Sequence, residues 1–329
     1  MSDLNSRLLT VAEVSELIQQ GLPLALAGDE ALLASLPTGN WIAGSTPYFM
    51  TEHAGVCDRN KVFVQILDAE QVTIESYDMD ALPGFLEDAP EQGYSIIILP
   101  AGSDVHRSYA ENAPGFPEMY LKPVVGWVAG MHLDDLASGT AVVVDGRTGE
   151  SFGNRAVVLH ASLPPGVSAM VHAINLFEPD EGDDIEFSDT SFSARHCIVN
   201  GEQKGLPEYF EDRGLDTRQP LLADYCGALI NVSIQSLESS SGAVQFYAPV
   251  FKGVQYRVAR PVADYPEAFA QAMPAKPGRI IFGCNCILNY LHSGLEGRAT
   301  PGLTGPVTFG EVAYQLLNQT AVYMTLVDD

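Results

Sequence analysis

The stretch between Phe282 and Thr320 sets polar side chains into otherwise apolar, glycine-rich sequence. It contains two cysteines, two asparagines and a Gly-Glu pair between apolar neighbours. Buried polar groups cost free energy unless they are hydrogen-bonded, so these side chains need partners in the protein or in a ligand. Any fold of this chain must therefore supply those partners.

Apolar strands are predicted on both sides of this stretch. Residues 278–282 indicate a buried strand that carries Cys284 at its carboxyl end, and residues 320–327 are apolar on both faces. A strand without a polar face is normally central in its sheet. Open sheets bind ligands at the carboxyl ends of their strands. We therefore expect a cleft there, lined by the cysteine turn and by the turns at Gly310-Glu311 and Asn318-Gln319-Thr320.

Further elements follow from hydrophobic periodicity and turn residues. Thr10 and Glu13 form a capping box that begins a first helix. Glycine in the apolar strand 124–129 indicates the close approach of another backbone. The remaining predictions are strands at 61–67 and 72–77 joined as a hairpin, a strand at 95–100, a loop at 112–117, and strands at 140–144 and 155–163 beside the hairpin signal Asp145-Gly146.

These elements predict an α+β (mixed α/β) fold with two sheet-containing halves and helices packed on the sheets. A chain of 329 residues is long for one domain. The character of the sequence changes near residues 187–196, which predicts domains at 1–195 and 196–329.

The charge of the chain limits its partners. Seventeen Lys and Arg against 42 Asp and Glu give a formal charge of −25, which repels phosphate backbones and anionic lipid. We therefore expect no nucleic-acid partner. The same charge favours cationic or zwitterionic ligands, although solubility explains it equally well. Since no apolar run reaches the length of a membrane span and no signal peptide is visible, a cytoplasmic protein without a membrane partner is expected.

Several well-known fingerprints are missing from the sequence. It has no dinucleotide-binding glycine motif, no Walker lysine loop, no HExxH and no CxxC pair. Six carboxylates fall within residues 178–186, but their spacing does not match a calcium loop, so a solvated loop is expected. The seven histidines show no metal-ligand spacing. No metal or cofactor is therefore expected, with haem on a single axial histidine as the alternative.

Cys284 has two interpretations. At a strand end, next to a helix that starts near Ile287, its thiolate would be favoured by unpaired amides and could serve as a catalytic nucleophile. Buried cysteines, however, usually behave as small hydrophobic residues. The five cysteines are an odd count at irregular spacings, which favours reduced thiols over a disulfide framework. A metal site at Cys284 and Cys286 would need two more ligands, and His292 is the local candidate.

Glu311 also has two interpretations, because a glutamate is rarely buried without a partner. It either binds an arginine or backbone amides of the protein, or it faces a pocket and receives the ammonium of a ligand. Ser45 and Thr46 end another predicted strand, where their hydroxyls either bond nearby backbone or face the site. The candidate ligand-binding residues are Ser45, Thr46, Tyr48, Cys284, Asn285, Asn289, Gly310, Glu311, Asn318 and Thr320.

Three segments resemble the C-terminal part of the FIST family of intracellular sensory domains. They are Ile280-Ile281-Phe282-Gly283-Cys284, Gly310-Glu311-Val312 and Asn318-Gln319-Thr320. Residues 199–209, 220–222 and 247–256 are similar to the segment that opens the family's C-terminal half. Residues 124–129 take the place of the glycine-rich strand in its N-terminal half. Ile287 stands where the family commonly has an arginine, and Arg298 is the candidate substitute.

The resemblance implies a FIST N-like domain at 1–195 and a FIST C-like domain at 196–329. It also implies a cytoplasmic sensory role in signal transduction, with amino acids suggested as ligands for the family and haem for some nitric-oxide-responsive members. Our first hypothesis is thus a sensor for an amino acid or another amine-bearing metabolite that signals to a separate protein. The alternatives are a thiol hydrolase or transferase that uses Cys284, and an interaction module with a broad apolar patch.

Overall fold

The structure is a computed structural model that describes residues 6–225, 227–238 and 242–328. Strands account for 42% of the residues and helices for 18%, so the α+β fold is dominated by sheet. The strands before residue 180 are β1 (Ser6–Leu9), β2 (Leu24–Gly28), β3 (Trp41–Ser45), β4 (Tyr48–Met50), β5 (Gly55–Cys57), β6 (Val62–Ile66), β7 (Gln71–Tyr77), β8 (Gly93–Pro100), β9 (Val124–Ala129), β10 (Val143–Asp145), β11 (Glu150–Phe152), β12 (Ala156–Ser162) and β13 (Val167–Ile174).

The later strands and the helices complete the fold. The strands are β14 (Ile185–Glu186), β15 (Ser191–Ala194), β16 (His196–Val199), β17 (Glu202–Gly205), β18 (Leu221–Tyr225), β19 (Ala228–Val232), β20 (Ile234–Glu238), β21 (Ala243–Val250), β22 (Gln255–Val258), β23 (Arg279–Cys286), β24 (Gly305–Thr308), β25 (Glu311–Ala313), β26 (Gln315–Leu317) and β27 (Ala321–Asp328). The α-helices are α1 (Val11–Gln19), α2 (Glu30–Leu33), α3 (Asp104–Asn112), α4 (Leu206–Arg213), α5 (Tyr265–Ala272) and α6 (Ile287–His292). None of the described helices is both long enough and apolar enough to cross a membrane.

Three six-stranded sheets form the main body. Sheet I has the order β1-β6-β2-β3-β10-β11, sheet II the order β26-β25-β9-β8-β12-β7, and sheet III the order β13-β27-β23-β24-β4-β5. Each sheet contains one parallel pair within otherwise antiparallel pairing: β2 with β3, β8 with β9, and β23 with β24. A helix connects the two strands of each pair, as parallel pairing requires a crossover.

The three sheets share one apolar core. It contains Phe63 from sheet I, Trp127 from sheet II and Phe282 from sheet III, all buried. The rings of Trp127 and Phe282 stack with their centroids 5.8 Å apart. This packing fixes how the carboxyl ends of β8, β9, β23 and β24 are placed relative to one another.

A β-rich unit lies between β13 and β23 in the chain. Its sheets have the orders β17-β16-β14-β22-β18-β19 and β15-β21-β20, and they enclose a separate core with α4. The unit is tied to the main body by buried side chains. Asn231 donates to the Asn318 carbonyl (2.9 Å), and the Ser233 hydroxyl donates to Oε1 of Gln319 (2.7 Å).

Many of the predicted elements are confirmed. Thr10 and Glu13 form the predicted capping box of α1. β23 is central in sheet III, with β27 on one side and β24 on the other. The prediction of a close backbone approach in the strand 124–129 is also confirmed, because a Cβ atom on Gly126 would lie 1.8 Å from the Ile97 oxygen.

The hairpin predicted at 61–77 is wrong. β6 pairs in sheet I whereas β7 pairs in sheet II, so the short connection between them crosses from one sheet to the other. The hairpin signal Asp145-Gly146 is confirmed, because the chain turns there and β10 pairs with β11. The return strand differs from the prediction, since the strand at 155–163 forms β12 and joins β7 and β8. The loop predicted at 112–117 is also partly wrong, because α3 continues to Asn112 and a 3-10 turn follows at Ala113–Gly115.

The predicted boundary at 195/196 runs through shared structure. In sheet III, β4, β5 and β13 precede this boundary and β23, β24 and β27 follow it. β25 and β26 likewise join sheet II, whose other strands precede it. Backbone hydrogen bonds therefore connect the two halves.

Candidate functional site

The cysteine turn lies where β23 meets α6, and it is held by side-chain amides. The Oδ1 atom of Asn285 accepts from the Cys286 amide (2.8 Å) and from Nδ2 of Asn289 (3.0 Å). Asn289 also donates to the Thr320 carbonyl (3.2 Å) and to the Tyr265 hydroxyl (2.9 Å). These bonds connect the turn to Thr320, the residue directly before β27.

Glu311 is completely buried beside this turn. Its Oε1 accepts from the Thr308 hydroxyl (3.2 Å), and its Oε2 accepts from the amide and hydroxyl of Thr320 (3.3 and 2.9 Å). Burial raises the pKa of Glu311 to about 8, against the opposing effect of hydrogen bonds from Thr320, Cys286 and Thr308. The carboxyl group is thus mostly protonated at neutral pH, and its partners are two hydroxyls, a thiol and the Thr320 backbone amide, which are all groups of the protein itself.

The two cysteines of the turn are packed groups. The Cys284 thiol donates to the Gly126 carbonyl (3.7 Å) inside the shared core. Burial raises the pKa of both Cys284 and Cys286 well above the ordinary thiol value. The expected thiolate is therefore not favoured, because desolvation outweighs what the N-terminus of the short helix α6 supplies. Cys226 lies outside the described residues.

Thr46 and Tyr48 contact the elements next to the cysteine turn, since Val307 of β24 pairs with Asn285 and the Tyr48 ring lies 5.6 Å from that of Tyr290 in α6. The Ser45 hydroxyl donates to the Gly130 carbonyl (2.6 Å) and accepts from the Val142 amide (2.9 Å). The Thr46 hydroxyl donates to the Val307 carbonyl (2.8 Å), and the Tyr48 hydroxyl accepts from the Leu133 amide (3.2 Å). These groups bond to backbone from distant segments, and Ser45 and Thr46 border a small cavity of about 150 Å³.

The candidate residues around the cysteine turn do lie close together, but they are buried in the protein, whereas the sequence predicted that they line a cleft. Cys284, Asn285, Asn289, Glu311, Asn318 and Thr320 are all buried. Three of their polar atoms lack a hydrogen-bond partner in the described structure: Nδ2 of Asn285, Oδ1 of Asn289 and Oδ1 of Asn318. The cluster supports the floor of the neighbouring cleft and does not line it.

That cleft has a volume of about 370 Å³ and opens at the carboxyl ends of two parallel pairs. The segment after β8 contributes Ala101, Gly102, Ser103, His106 and Arg107, and the segment after β9 contributes Met131, Leu133 and Leu136. From sheet III come Ile287, Leu288 and Leu291 of α6, together with Phe309, which follows β24. Ile287 directly follows Cys286, and Phe309 directly precedes Gly310.

The β-rich unit supplies the remaining wall, through Phe192, Gln235, Gln245, Phe246 and Tyr247. Sequence reasoning missed this wall because these residues lie on strands that gave no sign of converging on the cysteine turn. It also missed His106 and Arg107 of α3. One sequence feature could have indicated this part of the cleft, namely the turn directly after the buried strand β8, Ala101-Gly102-Ser103-Asp104.

No three or more His, Cys, Asp or Glu side chains within residues 6–225, 227–238 and 242–328 form a group that could hold a metal ion. The acidic residues of 178–186 are tied to arginines: Asp183 to Arg213 (3.6 Å) and Asp184 to Arg257 (2.7 Å). The segment is mostly loop, as predicted, and ends in β14.

Comparison with known proteins places the chain in a family without assigning a function. A search of curated proteins finds no match. Residues 9–327 match a family of unknown function, DUF6976. Since the match covers nearly the whole chain, this protein belongs to the DUF6976 family.

Proposed function

We propose that this protein binds a small, largely apolar molecule in the cleft between α3, α6 and the β-rich unit. The observation that carries the proposal is the convergence of two parallel strand pairs on one apolar cavity of about 370 Å³. Ligand sites of open sheets typically lie at the carboxyl ends of strands, and cavities of this size enclose small metabolites.

The proposal moves the ligand away from the site expected from sequence. Glu311 lies below the cleft and already accepts hydrogen bonds from two threonines, so it does not anchor a ligand's ammonium in this account. Cys284 is likewise buried and protonated, which removes the observation that favoured a thiol enzyme.

A sensory role, as the resemblance to the FIST family implies, is part of the proposal. A ligand in the cleft would touch the segments after β8 and β9, α6 and the β-rich unit at once. It would therefore stabilise one arrangement of these parts relative to others. A separate signalling protein would read that arrangement.

Binding of naphthalene carboxamide, a neutral apolar probe, tests the proposal by saturation-transfer NMR. Leu291 lines the cleft and is 43% exposed, so Leu291→Trp should fill the opening without disturbing the core. We expect this variant to weaken probe binding by about tenfold or more. Leu121→Trp, at an 81% exposed position outside the cleft, is the matched control and should bind like the wild type. Absence of binding to the wild type, or equal binding by both variants, would contradict the proposal.

A further inference from the structure

The charge of the cleft walls differs from that of the whole protein. The chain has 42 acidic and 17 basic residues, yet the lining residues in the described part of the chain include Arg107 and His106 and no Asp or Glu. An acidic protein whose apolar cleft has no carboxylate in its described lining presents a local site for negative charge there.

Arg107 is available to bind a ligand. Its guanidinium lies over the ring of Phe192, which belongs to the β-rich unit, with the central carbon 5.2 Å from the ring centroid. Within the described residues this guanidinium forms neither an ion pair nor a hydrogen bond to the protein. Contact with an aromatic face orients a guanidinium group. Its N–H bonds lie in the plane of the guanidinium and remain able to donate to a ligand.

His106 does not add a second donor to the cleft. The Gly102 amide donates to Nδ1 of His106 (3.3 Å), so Nδ1 carries a lone pair and the proton of the neutral ring is on Nε2. Nε2 is buried and has no hydrogen-bond partner in the described structure. Because this atom has almost no accessible surface, a ligand in the cleft does not reach it, and Arg107 is left as the cationic group of the lining.

The N-terminus of α3 does not offer free amides to an anion. Its first amides are already occupied: Asn154 accepts from the amides of Asp104 and Val105, and the Ser103 hydroxyl accepts from that of His106. Recognition of negative charge in the cleft therefore depends on the Arg107 side chain.

We infer that the ligand of this cleft is an apolar monocarboxylate, with its carboxylate held by the guanidinium of Arg107 and its apolar part against Phe246, Leu288 and Phe309. This inference rests on the proposed function, since it assigns the ligand class of the same cleft. An arginine fork matches a carboxylate in shape, and charge-assisted bonds of this kind are about twice as strong as neutral ones.

The test compares three probes with one apolar body: naphthalene carboxylate, naphthalene carboxamide and naphthylmethylamine. Calorimetric titration of the wild type should give about tenfold tighter binding of the carboxylate than of the carboxamide, and weaker binding of the amine. Arg107→Gln should remove the preference for the carboxylate while leaving carboxamide binding unchanged, and Arg107→Lys should give an intermediate result because it retains charge without the planar fork. Arg7→Gln, at an exposed site on β1, makes the same change in net charge and should keep the preference.

The outcomes separate the two claims. If the carboxamide binds in the cleft but the carboxylate binds no better, or if Arg107→Gln and Arg7→Gln behave alike, the ligand class is wrong and the cleft remains a binding site. If neither probe binds, the proposed function fails as well.

Discussion

At the scale of single residues, Glu311 shows how burial and hydrogen bonding compete. Three donors from Thr308 and Thr320 stabilise its charged form, yet complete burial raises its pKa to about 8. The free-energy cost of removing the charged carboxylate from water exceeds the stabilisation from these hydrogen bonds, because no cation contacts the carboxylate among the described residues. The polar cluster is therefore largely uncharged at neutral pH, which makes it compatible with the surrounding core.

The Glu311→Gln variant tests this pKa through the pH dependence of stability. A carboxyl whose pKa is higher in the folded state than its ordinary value of 4.5 binds its proton more tightly when folded. Its contribution is fully present below about pH 4.5 and is lost as the pH rises towards 8. The stability of the wild type relative to Glu311→Gln should thus fall by up to about 4 kcal/mol across that window. Urea denaturation at a series of pH values measures the difference.

The comparison with the variant removes other titrating groups. Burial lowers the pKa of His160 to about 4, and this group contributes equally to both proteins, so its effect cancels. Two stability curves that stay parallel from about pH 5 to pH 8 would contradict the account of Glu311.

At the scale of elements, strands β8, β9 and β23 approach one another closely at Gly126, and this spacing requires a residue without a side chain. This glycine pairs with Ile97 of β8, and its carbonyl accepts the Cys284 thiol of β23. A Cβ atom at this position would lie 1.8 Å from the Ile97 oxygen. Because backbone must move to make room, these strands could not keep their present spacing.

Gly126→Ala should therefore destabilise the protein by about 3 kcal/mol or more, as overpacking against backbone does. Gly115→Ala is the matched control, since a Cβ atom there has no neighbour within 4 Å, and its effect should stay within about 0.5 kcal/mol. Equal midpoints of thermal or urea unfolding for the two variants would show that β8 and β9 can separate at little cost.

Sequence patterns predicted individual elements better than their partners. Three features could be predicted because each depends on residues close together in the chain. They are the capping box of α1, the central position of β23 and the close backbone approach at the glycine of β9. The partners of the strands at 61–67, 72–77 and 155–163 could not be predicted, because these strands pair with distant segments that the local pattern does not identify. The same limit hid the cleft: Cys286 and Gly310 were recognised, whereas their neighbours Ile287 and Phe309 line it.

At the scale of the whole molecule, the cleft depends on contacts that span the chain. Its walls come from segments as far apart as Ala101 and Phe309, and sheet III joins strands from both ends of the sequence. The β-rich unit forms one wall and is attached to the floor through Asn231 and Ser233. A ligand in this position would bridge the β-rich unit and the main body, which is the contact on which the proposed sensory role depends.

The most direct test of this account is a crystal structure of the protein with naphthalene carboxamide at saturating concentration. We predict electron density for the probe between α3, α6 and the β-rich unit, in contact with Leu291 and Phe309. A structure in which the probe occupies another surface while this cleft stays empty would contradict the central claim.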